Sequence, residues 1–190
     1  MALEQSLKIA LKEWAIVCRA LEQGRQMVLL RKGGISEAGD GEFRVEHREF
    51  LLFPTYLHQN RNMLKPDVHD TYRQMTAEPD EIVLSGAAEV TDIVRLSSRQ
   101  QMDAIDDEHV WTESLIDMRF NYRPENPLYL LLVRAYRLSE PQTIVNTPAY
   151  AGCKSWVPLD ETINTWGGSA SLDDESYDRR RRDILKRVAS

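Results

Sequence analysis

An α+β domain, a sheet with helices around it, is the fold class this sequence predicts, on three observations. The run Leu128-Tyr129-Leu130-Leu131-Leu132-Val133 continues through Arg134-Ala135-Tyr136-Arg137-Leu138 and is apolar on both faces at its start, as a strand inside a sheet must be. Leu3, Leu7, Ala10, Leu11, Trp14, Val17, Cys18 and Leu21 recur every three to four residues, the spacing of one helical face. Shorter apolar runs at Met27–Leu30, Phe50–Phe53, Ile82–Leu84 and Val90–Leu96 read as further strands.

Taken in order, the N-terminal periodicity predicts a helix ended by Gly24 in a left-handed conformation. A buried strand then runs into Arg31-Lys32, and the polar stretch Gly33 to Glu42 reads as an exposed loop. Phe43–Val45 and Phe50–Phe53 are expected to be strands. Thr55 is a plausible N-cap for a short helix to Met63, and Pro66 suits the first turn of another. Ser85-Gly86-Ala87-Ala88 separates two strand-like runs and predicts a bend or bulge. Ser98 opens a helix to Ile105. After Pro141 the chain is expected to be irregular until Leu159–Trp166. Gly167 to Ser171 has the composition of a linker, and the tail places acids first and bases last, as a helix dipole favours. The expected organisation is a single domain over residues 1–168, with residues 169–190 as linker and charged helical tail.

A chain of 190 residues suffices for one core. Its 42% hydrophobic and 28% charged residues are ordinary for a soluble protein, no apolar run matches a membrane span, and the acidic start does not read as a secretory signal. The expected location is the cytoplasm, with no membrane partner. Cys18 and Cys153 belong to no CxxC and have no His at ligand spacing, so no structural zinc is expected. A net charge of −6 argues against indiscriminate binding along a duplex, so any nucleic-acid contact must be local.

Arg31, Lys32, His47, Arg48 and His58 are expected around one loop-rich rim, which reads as polyanion-binding. Arg179 to Arg182, with Lys186 and Arg187, form the dense basic run; pairing with Asp173, Asp174, Glu175 and Asp178 on a solvated helix accounts for it better than phosphate binding. Glu42, Glu46, His47, Glu49 and His58 are metal-ligand types, but strand alternation would split them between two faces, so a polar strand edge is the preferred reading. Tyr150, Gly152, Cys153, Lys154, Ser155 and Trp156 suit ligand contact by stacking and charge, although a Trp that pins the loop to the core fits as well. His109-Val110-Trp111 is expected in the core. There is no Walker A sequence, GxGxxG, GxSxG or HExxH, and no cofactor or catalytic group is assigned.

Ala10-Leu11-Lys12-Glu13-Trp14-Ala15, Leu30-Arg31-Lys32-Gly33-Gly34-Ile35, Phe50-Leu51-Leu52-Phe53-Pro54-Thr55, His58-Gln59 and Tyr150-Ala151-Gly152-Cys153-Lys154-Ser155-Trp156 together resemble the bacterial family catalogued as domain of unknown function 1802, from Leu7 to about Gly168. That resemblance names no activity and implies a link to restriction-modification systems. The stretch from Gly24 to Arg31 is similar to the ASCH group of PUA-like domains, whose signature has a Gly, then Lys two later, Glu five later and Arg seven later. Gly24 and Arg31 match, whereas Gln26 and Leu29 replace the Lys and Glu. The likeness implies a PUA-like open β-barrel flanked by helices.

On this basis the expectation is a nucleic-acid-binding module, for a modified base or an end, without chemistry of its own. Arg31 and Lys32 would contact phosphate, His47, Arg48, His58 and Gln59 would line the pocket edge, and Tyr150, Lys154 and Trp156 would close it. The rival is a PD-(D/E)XK nuclease holding Mg²⁺. It needs an acid-x-Lys triplet at a strand end, which Glu49-Phe50-Leu51 and Glu89-Val90-Thr91 do not supply. A protein-interaction scaffold is the third reading.

Overall fold

Leu128 to Val133 are all buried, and they open the longest strand of the molecule. The computed structural model describes residues 3–32, 35–37, 43–152 and 154–189. In chain order the elements are β1 (Ser6–Trp14), α1 (Ala15–Glu22), β2 (Val28–Arg31), β3 (Ile35–Glu37), β4 (Phe43–Val45), β5 (Glu49–Thr55), β6 (Glu81–Leu96), α2 (Gln100–Asp103), α3 (Glu113–Asn121), β7 (Leu128–Val145), β8 (Trp156–Asn164), β9 (Ser169–Ala170) and α4 (Asp174–Val188). Six strands form the order β2-β7-β6-β5-β1-β8, with β9 added to β7. β1 and β5 are parallel, and the other pairings are antiparallel.

The expected α+β class holds, and the sheet is open. Among the described residues β2 pairs only with β7, and β8 only with β1. A side chain links the far part of β7 to β8: Gln142 donates from Nε2 to Asn164 O at 2.8 Å and accepts from Asn164 N at 3.3 Å. Leu138 to Pro141 lie in a register shift of β7 opposite Ser85, so Pro141 withholds no donor from the ladder. β7 therefore runs through Pro141 to Val145 where an irregular segment was expected. Ser85 to Ala88 hold the expected irregularity, a register shift between Leu84 and Gly86, and β6 continues through it.

The main departure is at the N-terminus. Leu7, Ala10 and Leu11 satisfy a helical spacing, yet residues 6–14 are extended. A strand paired on both sides, with β5 and β8, and covered on both faces has apolar residues at positions of either parity, which blurs its period of two. Only Ala15 onward is helical. Its end is as predicted: Gly24 has φ +67°, and an added Cβ would meet Leu172 and the Ser171 carbonyl at 2.8–2.9 Å. Thr55 ends β5 rather than capping a helix; the cap falls on Asn60, whose side chain accepts from Asn62 N at 3.0 Å. Pro66 does open a 3-10 helix. The Ser98 helix is shorter than predicted, and the expected loop after Lys32 contains β3, paired to β4.

Two apolar clusters fill the interior. The larger joins Leu11, Phe50, Leu52 and Leu128–Val133 to α1, α2, α3 and α4, and includes Val110 and Trp111 as expected. The smaller holds Leu51, Phe53, Ile82, Leu84, Leu138, Tyr150 and Val157. The linker expected at residues 167–171 instead forms β9, Tyr136 opposite Ala170. α4 is docked by Tyr177, Ile184 and Val188. Its basic run is largely engaged: Arg180 pairs with Glu108, Arg181 with Asp92, and Arg187 with Asp107, Asp183 and Glu108. Those partners lie mostly across the fold, where pairing with acids of the helix's own first turns was expected.

His109 is 4% exposed, and both ring nitrogens are buried. Burial, reinforced by Lys65, holds its pKa down at about 4 against Asp106, 4.0 Å away. Between the ordinary value of 6.5 and about 4 the unfolded chain therefore binds a proton that the folded chain refuses. Stability is lost as pH falls through that window, by about 3 kcal/mol in total for this group. Urea unfolding at neutral pH and near the lower end of the window should show a loss about 2–3 kcal/mol smaller in His109→Gln than in the parent chain. Equal losses would remove His109 from the account.

Candidate nucleic-acid interface

β1 ends in Lys12-Glu13-Trp14 and β2 in Leu30-Arg31, two strands that share no ladder hydrogen bonds. A buried ion pair joins them. Arg31 Nη1 donates to Glu13 Oε2 at 2.9 Å and to Leu30 O at 3.1 Å, and Nη2 donates to Lys12 O at 3.2 Å. Glu13 Oε1 also accepts from Trp14 N at 2.8 Å, and Thr55 Oγ1 on β5 donates to Glu13 O at 3.0 Å. The pair is nearly closed to solvent, the two side chains being 10% and 6% exposed.

Lys32 extends this arrangement to α3. Its ammonium donates to the carbonyls of Phe120, Arg123 and Asn126 at 3.1–3.2 Å. An ammonium has three N–H groups, so these contacts occupy it fully. They hold the turn after α3, where Arg123 takes the uncommon φ of +46° and lies 5.3 Å over the Tyr122 ring. On the other side, Lys12 donates to Tyr150 O and to Gly152 O, at 3.1 Å for the latter, and lies 5.7 Å over the Phe53 ring. Tyr150 is fixed by its hydroxyl, which donates to Asp160 Oδ2 at 3.0 Å and accepts from Asp160 N at 2.9 Å. Burial raises that phenol's pKa, so it stays protonated.

These elements surround a cleft of about 890 Å³. Its cations are Lys12, Arg31, Lys32, Arg119, Arg123 and Lys154; its acids are Glu13 and Glu78. Both acids are occupied, Glu13 by Arg31 and Trp14, and Glu78 by the backbone N–H groups of Tyr56 and Leu57 at 2.9–3.0 Å. Arg119 differs from the other cations. Its Nε is buried without a partner, and no hydrogen bond or ion pair engages its guanidinium among the described residues. Burial lowers its pKa from the ordinary value; Glu13 opposes the shift and Arg31 adds to it.

Of the nine residues assigned from sequence, Arg31, Lys32, His58, Tyr150 and Lys154 line this one cleft. Arg31 and Lys32 were expected to offer their charges directly to phosphate. Instead they are the structural parts of the wall, and exposed Lys154 and His58 are the accessible ones. The other four line no part of it. Gln59 is buried with its Oε1 accepting from Ile16 N at 2.9 Å, which caps α1. Arg48 pairs with Glu89 at 3.0 Å. His47 and Phe50 each meet the half-buried Trp156 edge-on, with centroids 5.2 Å apart. Residues 46–48 are a bend rather than a strand, so alternation does not sort them; Glu46 sits 3.7 Å from His47, and Glu49 accepts from Glu4 N at 2.7 Å. Gly33, Gly34, Glu42 and Cys153 lie outside the described residues. Among those described, no three His, Cys, Asp or Glu side chains gather as a metal site would require.

Sequence reasoning missed Lys12, Arg119, Arg123 and Tyr122. Lys12 was read on a helix, and a basic residue near a helix C-terminus is ordinary dipole complementation, so Arg119 carried no signal of its own. The Tyr122-Arg123-Pro124 sequence was the available hint, an aromatic and a cation placed together in a turn.

The family model described as "Domain of unknown function (DUF1802)" matches residues 10–183. No curated protein matches the sequence. Among solved structures the chain is similar to ASCH from Zymomonas mobilis, with 13% identity over 94% of this chain and 93% of that one and a TM-score of 0.43. A serine-to-alanine mutant of that protein is similar over 92% of this chain and 94% of its own, with 13% identity and a TM-score of 0.44.

Arg31→Met leaves the Glu13 carboxylate buried and unpaired, which should cost about 3–5 kcal/mol in urea unfolding. Adding Glu13→Gln should recover a large part of that loss. If Arg31→Met is neutral, the pair does not hold the strand ends together.

Proposed function

Because the chain belongs to the DUF1802 family and membership names no activity, we propose a function from the cleft itself: it binds a short single-stranded stretch of nucleic acid, at an end or around an extruded base. The observation that carries this reading is local charge. A chain of net charge −6 places six Lys and Arg around one cleft whose two carboxylates are already occupied. Such a concentration attracts a polyanion even though the molecule as a whole repels it.

The shape of the site favours single strands. A concave space of about 890 Å³ takes a few nucleotides and has no room for a duplex. Trp14 lines it, and Tyr122, 53% exposed and backed by Arg123, offers a ring face to a base. Arg119, Arg123 and Lys154 supply the phosphate contacts in this reading, and His58 stands at the edge. Arg31 and Lys32 position them. The link to restriction-modification implied by the family resemblance would make the ligand DNA. Cationic side chains and stacking rings do not distinguish the sugars, so both nucleic acids belong in the test.

Fluorescence anisotropy with single-stranded DNA and RNA should show binding that weakens as salt rises from about 50 to 200 mM, with a logarithmic slope near −2, as expected for about three phosphates on a single strand. Arg123→Ala with Lys154→Ala should remove most of it, while Arg179→Ala with Arg182→Ala, on the exposed side of α4, should change it little. Added Mg²⁺ should leave the strand intact. Cleavage dependent on Mg²⁺ would replace this reading with the nuclease, and binding unaffected by the cleft substitutions would place the contact elsewhere.

A further inference from the structure

Arg119 and Arg31 together present the cleft with an electrostatic imbalance that the protein does not itself resolve. Both guanidinium groups line the cleft, both have a buried Nε without a hydrogen-bond partner, and both feel the Glu13 carboxylate. Glu13 is spent on Arg31 and on Trp14 N. Two cations thus share one acid, and the buried Nε of Arg119 has no acceptor among the described residues. Five N–H groups on each guanidinium form a planar fork that fits the oxygens of a phosphate, and Arg119 uses none of its five within the described protein.

An internal phosphodiester brings one negative charge and two bare oxygens. A terminal phosphomonoester brings three acceptor oxygens and a charge of about −1.5 to −2 at neutral pH. The six Lys and Arg of the cleft exceed its two carboxylates by four charges, and the phosphomonoester, with the larger charge and the third oxygen, offsets more of that excess from one position.

We propose that the Arg119–Arg31–Glu13 group is a phosphomonoester subsite, so that the cleft recognises the phosphorylated end of a single strand. This rests on the nucleic-acid reading above for the strand, but not for the phosphate. Arg119 is the direct ligand, through its terminal amino groups. Arg31 contributes charge while held in place by Glu13 and the carbonyls of Leu30 and Lys12. The first base beyond the phosphate then lies within reach of Tyr122 and Trp14, and the rest of the strand leaves past Arg123 or Lys154.

The test compares oligonucleotides of one sequence carrying a 5′-phosphate, a 3′-phosphate, hydroxyl ends only, or no ends at all as a closed circle. One phosphorylated form should bind about tenfold to a hundredfold tighter than the hydroxyl and circular forms, the range expected for charge-assisted hydrogen bonds to a dianion. Arg119→Gln should erase that preference, bringing the phosphorylated, hydroxyl-ended and circular strands to one common and weaker affinity. Arg119→Lys, which keeps the charge and the fold but loses the fork, should retain only part of it. Nucleoside monophosphates carrying a 5′- or a 3′-phosphate serve as separate probes, and one of them should raise the melting temperature of the parent chain but not of Arg119→Gln. Equal binding of phosphorylated and circular strands would overturn the subsite and leave the nucleic-acid reading standing. A monophosphate bound through Arg119 with no oligonucleotide bound at all would do the reverse.

Discussion

The ion pair between Arg31 and Glu13 is the constraint on which the rest of the structure depends. The sheet is open by its ladders, and β2 and β1 stand far apart in strand order, separated by β7, β6 and β5. Backbone hydrogen bonds do not bring their ends together. The guanidinium does, through one carboxylate and two carbonyls. Burying such a pair gives little net stability, because desolvation offsets attraction. Its value lies in geometry: it fixes where β2 ends, and therefore where Lys32 begins.

From that point positions follow by short links. Lys32 reaches the carbonyls at the end of α3 and holds the turn that carries Arg123. Thr55 ties β5 to Glu13, and Lys12 ties β1 to the segment around Tyr150 and Gly152. Each of these wall residues spends its polar groups on the protein. In the proposed reading the ligand contacts fall to the side chains of Arg119, Arg123 and Lys154. Arg31 and Lys32, expected from sequence to meet phosphate directly, stand in the cleft wall with their charges engaged by Glu13 and by backbone carbonyls.

The legible parts of the fold were those whose signal is local. Leu128–Leu138 is apolar enough to be a strand in any context, Gly24 suits a left-handed turn, and Pro66 a helix start. Where several environments write the same pattern, the reading failed. β1 is covered on both faces, so its apolar positions mimic a helix. Ser169 and Ala170 look like linker because their contribution is two backbone pairings to β7, which composition does not encode. The site was half legible for the same reason. Arg31, Lys32 and Lys154 stood beside conspicuous Gly and aromatic residues, whereas Arg119 becomes special only when folding puts it beside Arg31 and one shared acid.

The central claim is that one cleft, built on the Arg31–Glu13 pair, receives the ligand. The most direct measurement is a backbone-amide NMR titration of the full chain with a short phosphorylated single strand. The account predicts that shifts concentrate at Lys12 to Trp14, Lys32, Arg119 to Asn126 and Gly152 to Ser155, with α4 little changed. Shifts centred instead on α4 around Arg179 and Arg182, or on the β4–β5 bend at His47, would contradict it.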